Sequence, residues 1–181
     1  MKERILLFCL SICINFAYSQ SVFQEYKDDN KANYLSINPT MFKLLGQINI
    51  QTDDLETKAY LDMIQSISSF KVLTTQDIEI TKSIDSAHKK WAEKEGFELL
   101  LQLNENDNEL YFYVVTAAAE NIVNRLLMFS RGSVLEDSIS IKGKPLESIL
   151  LLVEGRIDLE QIGKLTEAME LPGGKQLKKI N

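Results

Sequence analysis

Two apolar runs joined by a short polar run constrain the fold more than any other feature of this sequence. The apolar runs are Phe97–Leu103 and Leu110–Val115, and the polar run between them is Asn104–Asn108. Apolar segments of strand length on either side of turn-forming residues are typical of a β-hairpin. Because a hairpin pairs its strands antiparallel, the sequence predicts a sheet that is at least partly antiparallel.

Further segments of the chain extend this sheet. The alanines of "TAAAEN" favour a helix, whereas the following "NRLLMFSR" favours a strand, and period alone cannot separate the two for short apolar runs. We predict a strand there, and a small strand within "SISIKG" of the long connection Arg131–Glu147. The other predicted strands are Tyr34–Ile37, Phe70–Gln76 and Ser148–Glu154, and the one chosen above spans Val123–Ser130.

Three helices with recognisable ends alternate with the first strands. Asn38 is predicted to cap the first helix with Pro39 at its first position, and Asp53 is predicted to cap the second with Glu56 as its partner. The third is predicted over Ile78–Glu95 and ends before Gly96. The predicted buried positions are Met41, Phe42, Leu44, Leu45 and Ile48 in the first helix, Leu55, Ala59, Met63 and Ile67 in the second, and Ile80, Ile84, Ala87 and Trp91 in the third.

The stretch "LLLVEGRIDLEQIGKL" is predicted to form a structural corner near the C-terminus. Gly155 is expected to break the last strand, and Asp158 to cap a following helix with Gln161 as its capping-box partner. An apolar stripe continues that helix through Leu159, Ile162, Leu165 and Met169. Since all of these residues have structural roles, we interpret the corner as architecture and not as a catalytic feature.

These elements predict an α+β fold with a mixed, mainly antiparallel sheet of about five or six strands and helices packed on one face. The expected organisation is a flexible lead-in over residues 20–33, a single α+β domain over 34–171 and a flexible basic tail over 172–181. About 160 residues suffice for an ordinary hydrophobic core.

The first nineteen residues are typical of a secretory signal peptide. Lys2 and Arg4 precede the apolar run Ile5–Phe16, and the small residues Ala17 and Ser19 lie at the minus-three and minus-one positions of the expected cleavage site. The run is shorter than the about 20 apolar residues of a membrane span, and no second such run follows. The alternative is an uncleaved anchor or a buried N-terminal helix. The residues before Cys9 and Cys13 are Phe8 and Ile12, which do not match a lipid-attachment site. We therefore expect export to the periplasm or the exterior.

Removal of this leader would leave a cysteine-free, acidic chain. Both cysteines lie within it, so the sequence predicts no disulfide, no thiolate nucleophile and no cysteine metal ligand. Without Lys2, Glu3 and Arg4, the 20 basic and 26 acidic residues of the chain become 18 and 25. This excess repels nucleic acid at long range and excludes it as a general partner.

No catalytic signature accompanies the polar residues. His88 is the only histidine, which excludes a multi-histidine metal site. Asp85 lies one turn before it, and a Ser-His-Asp triad could form in space, but no G-x-S-x-G motif is present, so we interpret His88 as structural. The run Asn104–Glu109 alternates oxygen ligands as a calcium loop does, but it lacks the required glycine, and Val115 replaces the final glutamate. A hairpin turn explains it better, and no cofactor or metal is predicted.

The residues that remain as candidates form an interaction surface. Tyr111 and Tyr113 share one side of a predicted strand, where burial under helices and an open contact face both fit the pattern. The basic residues of the long connection complete the candidate set, namely Arg131, Lys142 and Lys144.

Four segments together resemble an exported Bacteroidota family, domain of unknown function 4252. They are "INPTMFKLL", "ISSFKVLT", "GFELLLQL" and "VEGRIDLEQIGKL". The resemblance covers about Leu35–Met169 and implies a small α+β envelope domain of unassigned activity without a cofactor. The residues themselves favour a non-catalytic module that contacts an envelope protein. The alternative is a cofactor-free hydrolase that uses paired carboxylates.

Overall fold

The structure is a computed structural model that describes residues 21–47, 53–105, 108–119, 121–132, 140–141, 144–159 and 161. Its helices are α1 (Val22–Tyr26), α2 (Pro39–Gln47), α3 (Leu55–Ser66) and α4 (Ile78–Lys94). Its strands are β1 (Ala32–Ile37), β2 (Ser69–Thr75), β3 (Glu98–Glu105), β4 (Asn108–Thr116), β5 (Ile122–Arg131), β6 (Ser140–Ile141), β7 (Lys144–Pro145) and β8 (Ser148–Asp158).

Six of these strands form one sheet in the order β1-β2-β8-β5-β4-β3, and every neighbouring pair is antiparallel. The predicted hairpin is β3–β4, and β5 continues it as a meander. The two-residue strands β6 and β7 pair with each other inside the long connection. The α+β fold class and the strand predicted in the ambiguous segment are confirmed.

The helices cover both faces of the sheet, so the prediction that they pack on one face is wrong. Alternate residues of the central strands enter two separate cores. One face of the sheet, which we call the α4 face, packs against α1 and α4. The residues of the sheet that line it are Leu73, Tyr111, Tyr113, Leu127, Phe129, Leu150 and Leu152. The opposite face of the sheet, which we call the α2–α3 face, packs against α2 and α3. The residues of the sheet that line it are Val72, Leu110, Phe112, Leu126, Met128, Leu151 and Val153.

Within the expected lead-in, residues 22–26 form α1, which packs against the α4 face. Phe23 of α1 is fully buried, and Val22 and Tyr26 are buried beside it. The Tyr26 hydroxyl also donates a hydrogen bond to Ser83 Oγ at 2.6 Å. Three apolar positions in so short a helix carry no recognisable period, and only the groove between α4 and the sheet edge gives them a place to pack.

Side-chain caps begin the helices much as predicted. Asn38 Oδ1 accepts from the Thr40 amide at 2.9 Å before α2. Asp54, and not Asp53, caps α3 by accepting from the Thr57 amide at 2.9 Å. Asp77 Oδ1 accepts from two amides at the start of α4. Gly96 ends α4 with φ of 74°, and the amides of residues 96 and 97 bond back to Glu93 and Ala92 in a Schellman motif.

The predicted apolar faces of α2 and α3 are only partly buried. Phe42 and Met63 enter the core as expected, but Met41 and Leu44 are 54% and 55% exposed and Leu55 is 80% exposed. Ala59 is exposed as well. The side chain of Leu45 and the whole of Ile48 lie outside the described residues. The correction follows from geometry, because five apolar positions in one short helix cover a wider arc than a single sheet contact can bury.

At the C-terminal corner, Gly155 does not end the strand as predicted. β8 continues to Asp158, and Gly155 and Arg156 lie opposite the single residue Asn124 of β5, which makes a β-bulge. Gly155 has φ of 148°, and a Cβ atom there would lie 2.5 Å from the carbonyl oxygen of Ser66. The glycine is therefore required for the close approach of α3 to the sheet.

The capping roles predicted after this bulge are only partly described. Asp158 is the last residue of β8, and its role as a cap stays a prediction. Gln161 is buried, and its Oε1 atom has no hydrogen-bond partner among the described residues, so it does not complete a capping box.

Several predicted segments lie outside the described residues. These are the leader, the tail over 172–181 and, within the connection, residues 133–139 and Lys142. Among the helices that the structure describes, none combines the length and apolar content needed to cross a bilayer.

Candidate functional site

A cluster of ionisable and aromatic side chains lies beneath α4, and it is the densest polar group of the α4 face. Successive turns of α4 supply Asp85, His88 and Lys89. The sheet supplies residues that pair across β4 and β5, since Glu109 lies opposite Arg131 and Tyr111 lies opposite Phe129. We call Asp85, His88, Lys89, Glu109, Tyr111, Tyr113, Phe129 and Arg131 the α4 cluster.

His88 lies at the centre of this cluster and is fully buried. Its ring stacks on Phe129 with centroids 4.2 Å apart, and the rings of Tyr111 and Tyr113 lie 5.2 and 5.7 Å away. Burial lowers the pKa of His88 to about 4. The imidazole is therefore neutral at pH 7 and packs as an aromatic ring.

Asp85 is the point where the charges of the cluster meet. Its carboxylate lies 2.9 Å from Lys89 Nζ, 3.4 Å from His88 Nε2 and 3.8 Å from Arg131 Nε. The distance to His88 is that of an ion pair, but the orientation is not that of a hydrogen bond. Because the imidazole is neutral, Lys89 and Arg131 provide the compensating charge for Asp85.

Arg131 joins the helix to the sheet. Its Nη2 atom donates to Glu109 Oε1 at 2.7 Å, and this hydrogen bond raises the pKa of Arg131. Lys89 Nζ in turn lies 4.7 Å from the centre of the Tyr111 ring, a cation–π contact. Two acids and two cations thus neutralise one another at the rim of the buried aromatic group.

The cluster does not assemble the chemistry of a Ser-His-Asp triad. Neither nitrogen of His88 has a hydrogen-bond partner among the described residues. Ser130 is fully buried, but it pairs with Leu110 and Ile149 on the α2–α3 face, on the opposite side of the sheet. Over the part of the chain that the structure describes, no three His, Cys, Asp or Glu side chains are placed to hold a metal ion.

Among the residues predicted to form an interaction surface, those whose side chains the structure describes are buried or half-buried. Tyr111 and Tyr113 are 5% and 8% exposed beneath α4, and burial raises the pKa of Tyr113 to about 12. Arg131 is half-buried in its pair with Glu109. Lys142 is outside the described residues, and Lys144 is described only as part of β7. The tyrosines therefore belong to the core of the α4 face and offer no free contact face.

An exposed apolar surface on the other side of the molecule escaped prediction. Met41 and Leu44 lie three residues apart in α2, and Leu55 begins α3, which packs against α2. We call these three residues the α2–α3 surface. The signal was present as the surplus of apolar positions in α2, but the sequence could not show which of them the sheet would leave uncovered.

A shallow cavity of about 420 Å³ lies beside the turn that joins β4 to β5. Its lining is small and mostly apolar, and no carboxylate belongs to it. The residues are Thr116, Ala117, Ala118, Ala119, Asn121, Ile122, Val123 and Leu159. It therefore lacks the pair of convergent acids that a carboxylate hydrolase needs.

The fold and its clusters define a small α+β domain with an antiparallel sheet covered on both faces. The family model described as Domain of unknown function (DUF4252) matches residues 26–165, and the chain belongs to this family. No curated protein and no solved structure matches the chain.

Proposed function

We propose that this protein is exported to the cell envelope of a Bacteroidota bacterium and acts there, without catalysis, by binding another protein. The α2–α3 surface is the proposed contact. The export part of the proposal is supported by the leader, in which Lys2 and Arg4 precede an apolar run and a small-residue cleavage site.

The observation that carries the proposal is the exposure of Met41, Leu44 and Leu55. Between half and four-fifths of each side chain is accessible, although the same two helices also supply Phe42 and Met63 to the core. Large apolar groups on consecutive, mutually packed helices are a common feature of protein contact sites. A partner that covers them would remove apolar area from water, which is favourable.

The α4 cluster supports a non-catalytic role. Its histidine is sealed under α4, and its acids are engaged by cations. Within the α4 cluster, the acids that a hydrolase could use are Asp85 and Glu109, and both carboxylates contact Arg131.

Site-specific photocrosslinking tests the contact. A benzoylphenylalanine placed at Leu44 should give a discrete adduct in envelope fractions of the producing cells. The matched control is the same group at Leu99, which is 51% exposed compared with 55% for Leu44 but lies on β3. The double variant Met41→Ser/Leu44→Ser should lose the partner found in that adduct. Equal adducts at both positions, or none at Leu44, would contradict the proposal.

The processed N-terminus tests export independently. Protein recovered from envelope fractions should begin close to Gln20, and the intact mass should lack the leader. A full-length chain recovered from the cytosolic fraction alone would rule out export and leave the crosslinking result to be explained by a cytosolic partner.

A further inference from the structure

The methionines of the described chain differ in their access to water. Met41 is 54% exposed in the first turn of α2, whereas Met63 is 4% exposed and Met128 is fully buried. The other two methionines, Met1 and Met169, lie outside the described residues. Since an oxidant has to reach the sulfur atom in order to react with it, Met41 is the most reactive thioether of the described residues.

No thiol of the exported chain would compete with Met41 for an oxidant. Both cysteines of the sequence, Cys9 and Cys13, lie within the leader. Removal of the leader would therefore remove the thiols, which are the groups that peroxide ordinarily oxidises first. The sulfur that remains open to oxidation would then belong to methionine alone.

The backbone of α2 separates the exposed thioether from the core. Phe42, the next residue, is 7% exposed, and its ring lies 6.0 Å from that of Phe70. Met41 and Leu44 lie three residues apart, on one side of the helix, and both are more than half exposed. A chemical change at the Met41 sulfur therefore alters the α2–α3 surface and leaves the core contact of α2 in place.

We propose that Met41 is a site of reversible oxidation by hydrogen peroxide, and that its sulfoxide closes the α2–α3 surface to a partner. The sulfur lone pair attacks one oxygen of the peroxide, so that an S–O bond forms as the O–O bond breaks. The proton of the attacked oxygen passes to the departing hydroxide, which leaves as water. The sulfur is oxidised by two electrons, and the peroxide is reduced.

The reverse step uses a dithiol and a sulfoxide reductase. The sulfoxide oxygen leaves as water, the thioether forms again, and the dithiol is oxidised to a disulfide. Because each step restores what the other changes, the surface can pass between two chemical states without new synthesis of the protein.

Oxidation would make an apolar contact polar. The S–O group accepts hydrogen bonds strongly, and a partner that covers it without a donor loses free energy. The contact proposed above depends on the removal of apolar area from water, so the sulfoxide should weaken it. This part of the inference rests on the proposed function, whereas the selective oxidation of Met41 does not.

Peptide mapping by mass spectrometry tests the site. The purified chain is treated with hydrogen peroxide, and the fraction of each methionine that has gained one oxygen atom is followed with time. Met41 should react at least about tenfold faster than Met63 and Met128, because the core shields those two. The denaturation midpoint of protein oxidised only at Met41 should equal that of untreated protein. Equal rates at the three methionines, or a lower midpoint, would overturn the proposal.

Photocrosslinking through benzoylphenylalanine at Leu44 tests the consequence. The protein is oxidised and freed of peroxide before it is added to envelope fractions, so that the partner is not itself oxidised. The adduct yield should fall at least about fivefold, and reduction of the sulfoxide should restore it.

Methionine variants identify the sulfur that matters. In Met41→Leu, which has no thioether at this position, the ratio of the yields from treated and untreated protein should stay close to one. Met63→Leu and Met169→Leu are the matched controls, and in both the ratio should fall as it does in the wild type.

The outcomes distinguish this inference from the proposed function. An adduct that survives oxidation of Met41, or one that peroxide removes equally from Met41→Leu, would overturn the inference and leave the contact standing. Untreated protein that gives no adduct would contradict the proposed function and with it the closing of the surface, while the mapping would still decide whether Met41 is oxidised selectively.

Discussion

The two faces of the sheet bury similar numbers of large side chains but contain different chemistry. Along β4, Tyr111 and Tyr113 enter the α4 face, whereas Leu110, Phe112 and Val114 enter the α2–α3 face. The α4 face also contains a second charged group, in which Arg125 contacts Glu154 at 3.0 Å and lies over the ring of Phe97. The α2–α3 face is almost wholly apolar in its interior.

The difference extends to the buried polar groups of the two faces and to the helices that cover them. On the α4 face the charged groups of the cluster pair within the chain, but both nitrogens of His88, Glu109 Oε2 and Arg131 Nε have no hydrogen-bond partner among the described residues. On the α2–α3 face the interior is almost wholly apolar, although the Oγ atom of the buried Ser130 has no hydrogen-bond partner among the described residues, and the cover is two helices with apolar side chains directed outward as well as inward. We therefore expect the proposed contact on the α2–α3 face, where Met41, Leu44 and Leu55 of the covering helices are exposed.

Replacement of Gly155 by alanine is expected to have the largest effect on the α2–α3 face. The new Cβ atom would lie 2.9 Å from Ile67 Cα as well as close to the Ser66 carbonyl, and φ of 148° is unfavourable for alanine. Strain and overpacking together should cost about 4 kcal/mol of unfolding free energy. Denaturant unfolding measures the loss.

Gly96→Ala is the control for this substitution. Gly96 also has a positive φ, of 74°, but nothing lies within 4 Å of its Cβ position. Its replacement should cost only about 1 kcal/mol. Equal losses for the two variants would mean that α3 does not approach the bulge as closely as described.

The consecutive residues Leu126 and Leu127 test whether both faces are cores. Both are fully buried in β5, Leu126 on the α2–α3 face and Leu127 on the α4 face. Each Leu→Ala variant should lose about 3 kcal/mol of unfolding free energy, because each leaves a cavity in a packed interior. A sheet covered on one face would give one large loss and one close to zero, which chemical denaturation of the two variants would reveal.

The pH dependence of the unfolding free energy tests whether His88 is kept from water in the α4 face. The pKa of His88 is about 4 in the folded protein, below its ordinary value of 6.5, so the folded state favours the neutral ring. The contribution of the neutral His88 ring to the stability of the folded state is fully present above pH 6.5 and is lost as the pH falls toward 4. From pH 7.5 to 4.5 the loss through this group should be about 2.5 kcal/mol.

His88→Gln serves as the reference for that measurement. Asp85, Lys89, Glu109, Arg131 and the two tyrosines face the ring, and all remain in the variant, so the difference between the two stability curves isolates the imidazole. Parallel curves for wild type and variant from pH 7.5 to 4.5 would show that His88 is accessible to water in the folded protein.

Local patterns made most of the secondary structure predictable. The hairpin, the strand after "TAAAEN" and the three capped helices follow from turn residues, apolar runs and capping side chains, all of which act over a few residues. His88 was expected on or beside the apolar stripe of its helix, and it is buried there.

Apart from the cap of α3, which is Asp54 and not Asp53, the misses involve contacts between distant parts of the chain. α1 is too short to show a period, and Phe23 is buried only because Tyr34 and Trp91 lie beside it. Gly155 resembled a strand terminator, but its actual role depends on Ser66 and Ile67. The grouping of Asp85 with Glu109 and Arg131 likewise depends on how α4 crosses β4 and β5.

The sequence by itself determined which segments are strands and where α2 and α4 begin. It also determined that a single histidine is present, which excludes a multi-histidine metal site. Those features depend on backbone preferences and short-range hydrogen bonds, which are set by neighbouring residues. Only the tertiary structure decided that both faces are covered, that the tyrosines are buried, and that apolar residues of α2 and α3 stay exposed. Burial depends on which surfaces meet in space. Alternating or helical periodicity assigns a residue to one face of its strand or helix, but it does not show what covers that face.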